Sequence, residues 1–382
     1  MQPFRIPKAR IFVVDEETKK NTVEKMELSI FTPSPLKNTS VDDEKAEQKK
    51  QWIKTIADIA ADMLQVEKGD YIFLWKTKTG TAKSEIYGVY RAISSPYYKL
   101  DTPDDKYPFK LRIEKAYDFR DPITEYDVLN NPFSKNALWN IVGKKVADKP
   151  RASSPLTFIE VQHLIELLIG KNGDSPFVPC DSQRYINVDN PLCIDLSRTG
   201  TNSDVKSLAD VNPNDLSYVS KDNNVLYEKV LETVFNQEMS RRNKKFFAPL
   251  GINVDEVVWY SNYLPYSIEQ SEMDYLIMTS LDGLAINKIF LIEFQKSRID
   301  ESHIQRTLIY TKWINETLAL GESIAQPILI CFNCPDLLNC DNQRKQDLEK
   351  MISLNEEECK TKKMQVYTYS IENGQMKFER KR

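Results

Sequence analysis

The sequence has almost no histidine: among 382 residues there are two, His163 and His303, far apart along the chain. That scarcity argues against zinc hydrolases, His-based catalytic triads and His-metal nucleases. There is no P-loop and no GxGxxG segment, so neither nucleotide hydrolysis nor dinucleotide binding is supported and no nucleotide cofactor is expected. No apolar run approaches membrane-spanning length. The opening MQPFRIPKAR is basic but lacks the apolar stretch of a secretion signal, so a cytoplasmic protein with no membrane partner is expected. Six cysteines at irregular spacing fit a reducing compartment. A global positive charge is also missing: the formal net charge is -4, and a nucleic acid would have to be met by local basic patches.

What is present is an ordinary globular composition, 41% hydrophobic and 28% charged. The length exceeds what one growing core supports, so two domains with a connecting segment are expected. Residues 1–170 alternate short strand-like runs (Arg10 to Val14, Tyr71 to Lys76, Ile86 to Ile93, Phe109 to Lys115) with a helix over Lys45 to Leu64, on which Trp52, Ile53, Ile56, Ile59, Ala60 and Met63 recur at helical spacing. A further helix, Thr157 to Ile169, opens with Thr157 and Glu160 in capping-box spacing. Several short strands with few helices predict a small barrel or curved sheet. Residues 171–221 lose all periodicity and read as a linker. In 222–382 a helix marked by Leu226, Val230, Leu231, Val234 and Phe235 ends in the basic cluster Arg241, Arg242, Lys244 and Lys245. Strands Asp274 to Met278 and Lys288 to Gln295 follow, then a helix Ser302 to Leu318, a strand Pro327 to Phe332, a helix Gln343 to Leu354 and a strand Gln365 to Tyr369, an α/β layering.

The chemistry points to KIFLIEFQK, residues 288–296. Aliphatics run straight into Glu293, and a carboxylate there is unfavourable unless a metal or partner compensates it. Strand alternation puts Glu293 and Gln295 on one face and Phe294 and Lys296 on the other. If the two strands pair around Asp282 and Gly283, Asp274 and Glu293 converge to hold one hard cation, and Gln295 orients the attacking water of a phosphodiester hydrolysis. The competing reading is a hairpin cap at Asp274 and an ordinary salt bridge at Glu293. Cys331 continues the run Ile328, Leu329, Ile330 and reads as a small core residue, and the spacing of Cys334, Cys340 and Cys359 is poor for a metal knuckle.

At Asp274, Glu293 and Gln295, over residues 222–370, the sequence resembles the PD-(D/E)XK nuclease superfamily in its E-x-Q form, the NotI-like type; the N-terminal cysteine cluster of NotI itself is absent. The resemblance implies a restriction-endonuclease-like α/β/α domain with a mixed sheet. It also implies catalytic roles for those three residues, an acidic helical residue at Glu228 or Glu232, and Mg2+ held by Asp274 and Glu293, with Mn2+ able to substitute. Gln305 resembles the glutamine that follows the active-site strand in these nucleases. Gln305, Arg306, Arg241 and Arg242 are then candidates for the DNA backbone, whereas Tyr310 and Trp313 read better as core.

The segments KGDYIFLWKT, IYGVYRAISSP, YPFKLRIEKA, DPITEYDVL and ALWNIVGKK resemble the EVE family, relatives of YTH and PUA-like domains, across most of residues 8–170. The resemblance implies a small PUA-like β-barrel that holds a modified base in an aromatic pocket, with Trp75, Tyr90, Tyr97, Tyr98 and Trp139 as candidate walls; each could equally be barrel core. Lys144, Lys145, Lys149 and Arg151 could track phosphates or form a solvated surface. The fold class expected is therefore α/β plus α+β. The expected function is a modification-dependent DNA restriction endonuclease acting on double-stranded DNA carrying 5-methyl- or 5-hydroxymethylcytosine, working as a homodimer because two strands need two sites. A conventional type II endonuclease and a non-catalytic binder of modified nucleic acid are the alternatives.

Overall fold

The computed structural model describes residues 7–30, 55, 58–77, 84–98, 107–117, 119–134, 153–173, 186–187, 190–194, 220–225, 227–266, 271–282, 285–297, 299–332 and 342–382. The chain divides into two compact units, residues 1–211 with 267–271, and residues 212–266 with 272–382. Much of the expected linker, most of the expected helix at 45–64, and Trp52, Trp139, Lys144, Lys145, Lys149, Arg151, Cys334 and Cys340 lie outside the described residues.

The first unit runs β1 (Ala9–Val14), α1 (Glu16–Lys25), β2 (Glu27–Ile30), β3 (Tyr71–Lys76), β4 (Glu85–Ala92), β5 (Tyr97–Tyr98), β6 (Phe109–Lys115), β7 (Ile123–Thr124), α2 (Glu125–Asn130), β8 (Ser153–Leu156), α3 (Phe158–Asn172), β9 (Ile186–Asn187) and β10 (Asn190–Ile194). One curled sheet has the order β2-β6-β4-β3-β1-β8, with β5 on β6 and β7 on β4. The β1/β3 pair is parallel and β1/β8 antiparallel. Side-chain alternation divides the apolar residues between two faces. Ile11, Phe73, Trp75 and Ile86 pack with Val161, Leu164 and Leu168 of α3. Phe12, Ile72, Leu74 and Tyr90 pack with Ile59 and Met63, which lie in the helical stretch 58–64. The Thr157/Glu160 capping box opens α3 as its spacing predicts. Helix α1, EETKKNTVEK, is not foreseen because it has no apolar period; Asp15 caps it and Glu16 and Glu17 lie in its first turn, a favourable end for negative charge.

The second unit runs β11 (Ser220–Lys221), β12 (Asn224–Val225), α4 (Lys229–Ser240), α5 (Lys244–Phe247), β13 (Val257–Tyr266), β14 (Ser271–Thr279), β15 (Lys288–Gln295), α6 (Glu301–Thr317), β16 (Ala325–Phe332), α7 (Asn342–Glu358), β17 (Gln365–Glu372) and β18 (Gln375–Arg380). Its sheet is mixed, in sequential order β13 to β18. β14/β15 and β17/β18 are antiparallel, while β15/β16 and β16/β17 are parallel. One face carries α4, whose Val230, Leu231, Val234 and Phe235 meet Tyr275, Ile277, Phe290, Ile292 and Phe294. The other face carries α6 and α7, whose Ile304, Leu308 and Ile352 meet Leu329 and Cys331. The sequence starts α4 at Val225; instead Val225 pairs back onto Ser220 in a two-residue ladder, and the helix begins at Lys229. Strands β13 and β18 are also additions to the sequence reading.

Candidate active site

The β14/β15 register brings the two carboxylates together. The pairing runs from Thr279 opposite Lys288 to Tyr275 opposite Ile292, so the next step sets Asp274 beside Glu293. Each carboxylate there receives a backbone amide from the facing strand: the Asp274 amide donates to Glu293 Oε1 at 3.1 Å and the Phe294 amide donates to Asp274 Oδ2 at 2.8 Å. Because Phe290, Ile292 and Phe294 are committed to the α4 face, Glu293 and Gln295 project to the α6 face, as alternation requires. The site thus lies at the C-terminal end of β15, where a parallel α/β sheet leaves room for ligands.

Glu293 is fully buried. Burial pushes its carboxyl well above the usual range, and the nearby Asp274 charge adds to that. Asp274, itself partly exposed, is pushed up to about 6 by desolvation and then by Glu228, against the Phe294 amide and Arg306. Glu232 of α4 is also buried, and its carboxyl rises to about 8 although Lys229 Nζ lies at 2.9 Å and the Asn262 amide donates to it at 2.9 Å. Desolvation outweighs those partners. Glu228, just before α4, accepts the Lys296 backbone amide at 3.1 Å. Four acidic side chains therefore act on one another here, a charge excess that binding of a cation relieves.

Two residues the sequence reading did not assign to this centre stand beside the pair. Arg306 reaches from α6 so that Nη2 lies 3.2 Å from Glu293 Oε2, with no N–H aligned on that oxygen. His303 binds Asp300 through Nδ1 at 2.6 Å within the capping box of α6, and its Nε2 contacts the Gln295 amide. The D-x-x-H spacing at a helix start signals the cap. Only the packing of α6 across β15 reveals the contact with Gln295.

A Mg2+ ion needs few protein ligands, one or two carboxylates with water and substrate phosphate completing its shell. Asp274 and Glu293 fit that requirement, since each has one oxygen without an aligned backbone donor and burial opposes their joint ionisation. Among the described residues no group of three or more His, Cys, Asp or Glu side chains is placed to hold a metal on its own. Any ion would therefore depend on outside oxygens.

The other candidates divide. Gln305 is exposed and binds Glu301 at 3.1 Å. Arg241 lies 3.5 Å from Glu238, and Arg242 donates to the carbonyls of Val254 and Val257, which ties it to its own loop. Tyr310 is buried, as the core reading has it. In the first unit Trp75, Tyr90 and Tyr97 are all buried. Trp75 and Tyr90 pack into clusters on opposite sheet faces. Tyr97 is buried with its hydroxyl on Glu27. For Tyr98 only the backbone, in β5, is described. A polar groove of about 180 Å³ between α1, β2 and β6, bordered by Thr22, Lys25, Glu27, Tyr107 and Lys110, includes none of these candidates.

No curated protein matches the chain. Among solved structures, a hypothetical protein from Leishmania major is 8% identical with a TM-score of 0.28, over 43% of this chain and 96% of its own. The YTH domain of Zygosaccharomyces rouxii MRB1, in complex with N6-methyladenosine RNA, is 13% identical with a TM-score of 0.24, over 42% of this chain and 86% of its own. Human THYN1, in complex with DNA containing 5-methylcytosine, is 12% identical with a TM-score of 0.22, over 42% of this chain and 97% of its own. The sequence profile of the EVE domain matches residues 31–166, and the curled half-barrel of the first unit agrees with the PUA-like fold of that domain. The N-terminal region of this chain is an EVE domain.

Proposed function

We propose that the protein is a modification-dependent DNA endonuclease, in which the EVE domain recognises a modified cytosine and the second unit hydrolyses the phosphodiester backbone. The observation that carries the cutting half is the pairing of buried Glu293 with partly exposed Asp274, each carboxylate fixed by an amide of the facing strand at the C-terminal end of β15. The reading half rests on the EVE match. Asp274 and Glu293 would hold Mg2+, with Mn2+ as a substitute, and when bound the ion polarises a phosphoryl oxygen and acidifies a water. The chain's own contribution is positional. His303, anchored on Asp300, restrains the Gln295 amide on the same strand face as Glu293, where it can orient a water. Two strands to cut imply two copies of the site, hence a homodimer on double-stranded DNA.

The experiment is incubation of the full chain with Mg2+ and plasmid carrying 5-methyl- or 5-hydroxymethylcytosine, alongside unmodified plasmid. Cleavage of the modified plasmid alone is expected, and Asp274→Ala should lower the rate by on the order of 10²-fold or more. Equal cutting of both plasmids defeats the reading half and leaves the nuclease.

A second reading, a non-catalytic binder of modified nucleic acid with a nuclease-like scaffold, is favoured by the lack of a third described metal-binding side chain at the pair. Under it Asp274→Ala retains DNA binding and no preparation cuts.

A further inference from the structure

We infer that Arg306 is the resident counter-cation of the Asp274/Glu293 pair, and that a divalent ion competes with it for Glu293 and turns its guanidinium toward a DNA phosphate. The inference rests on the nuclease reading and specifies how the same centre is charged in its two states.

Glu293 has no exposure to solvent, and a carboxylate so placed stays ionised only beside a positive partner. One oxygen takes the Asp274 amide, which leaves Oε2. The charge facing Oε2 is Arg306 Nη2 at 3.2 Å, an ionic contact without an aligned hydrogen bond. Asp274 and Glu293 both act on the guanidinium. Lys229, a second cation nearby, binds Glu232 at 2.9 Å and 3.0 Å.

The way Arg306 is held differs from that of a structural arginine in the same chain. Arg10 is almost wholly buried, with Ser153 at 2.7 Å, Gln65 at 2.7 Å and Asp62 at 3.0 Å around its guanidinium, and it cannot leave without stranding three partners. Arg306 has 44% of its side chain in solvent. Its solvent-facing part gives it room to swing away from Glu293.

A divalent ion held by Glu293 Oε2 would compete with the guanidinium for that oxygen, and two cations so close would repel strongly in a poorly solvated site. The two states therefore exclude each other. A displaced guanidinium beside the same oxygens offers a planar donor fork suited to phosphate, so metal loading and backbone grip become coupled.

The test uses the full chain and Ca2+ alone as the probe, by calorimetry, then a fluorescent 5-methylcytosine duplex in Ca2+ by anisotropy. Arg306→Gln removes the competing charge and keeps a side chain suited to an exposed helix position. It should bind Ca2+ roughly five- to tenfold more tightly than the wild type, in the range usual for coupled sites. It should bind the duplex several-fold more weakly. Arg306→Lys, which keeps a charge, should stay near wild type for Ca2+ while still losing duplex affinity. Circular dichroism and the melting transition check that both variants fold. Unchanged or weaker Ca2+ binding by Arg306→Gln, with wild-type binding that Asp274→Asn abolishes, overturns the role of Arg306 and spares the metal site. No Asp274-dependent Ca2+ binding in any form overturns the metal reading and this inference with it.

Discussion

Asp274 sits in an environment that disfavours its charged form. Burial, with Glu228 nearby, holds its carboxyl at about 6, against roughly 3.9 in an unfolded chain. The folded state therefore binds this proton more tightly than the unfolded state, and the stabilisation is present at low pH. It is lost as pH rises from roughly 4 through 6, where the folded carboxyl is finally ionised without compensation. The difference in melting temperature between wild type and Asp274→Asn, in EDTA, should accordingly shift against the wild type by several degrees between pH 4.5 and 7.5. Mg2+ should restore the wild type at pH 7.5 and have little effect at pH 4.5, because metal binding needs the deprotonated carboxylate. A difference that stays flat with pH would sink this account.

At the scale of elements, Phe235 is the aromatic centre of the contact between α4 and the sheet. Phe235 meets Phe246, Phe247, Tyr275, Phe294 and Phe378 edge-on, with centroids from 4.8 Å to 5.8 Å. Such pairs add about 0.5–1.5 kcal/mol each beyond burial. Phe235→Ala should destabilise the second unit by about 3–5 kcal/mol in denaturant unfolding. Because α4 also carries Glu232 against Asn262, the variant should weaken divalent-ion binding before global unfolding. A loss under 1 kcal/mol would show that the sheet holds without this anchor. The strands Tyr71–Lys76, Phe109–Lys115 and Lys288–Gln295 were legible to the residue, since short apolar runs and, in Phe109–Lys115, apolar/charged alternation leave little choice of ends. Strand β18, QMKFER, was not, because it is an exposed edge strand defined only by its pairing to β17.

For the whole molecule, the two units have separate cores, in the clusters around Phe73 and Phe12 on one side and around Phe235 on the other. Calorimetry should show two unfolding transitions, with Phe235→Ala moving one and leaving the other in place. A single transition that moves as a whole would mean the units unfold together. Among the described residues no helix is long and apolar enough to cross a membrane.

The faces of β15 and the capping box of α3 follow from local chemistry: two-residue alternation, apolar run length and a Thr-x-x-Glu spacing act over a few residues and leave their mark in the primary structure. The burial of Trp75, the meeting of Arg306 with Glu293, and the contact of His303 with Gln295 follow from packing between elements distant in sequence. Such contacts depend on strand register and helix docking, and a one-residue slip of either would replace every partner.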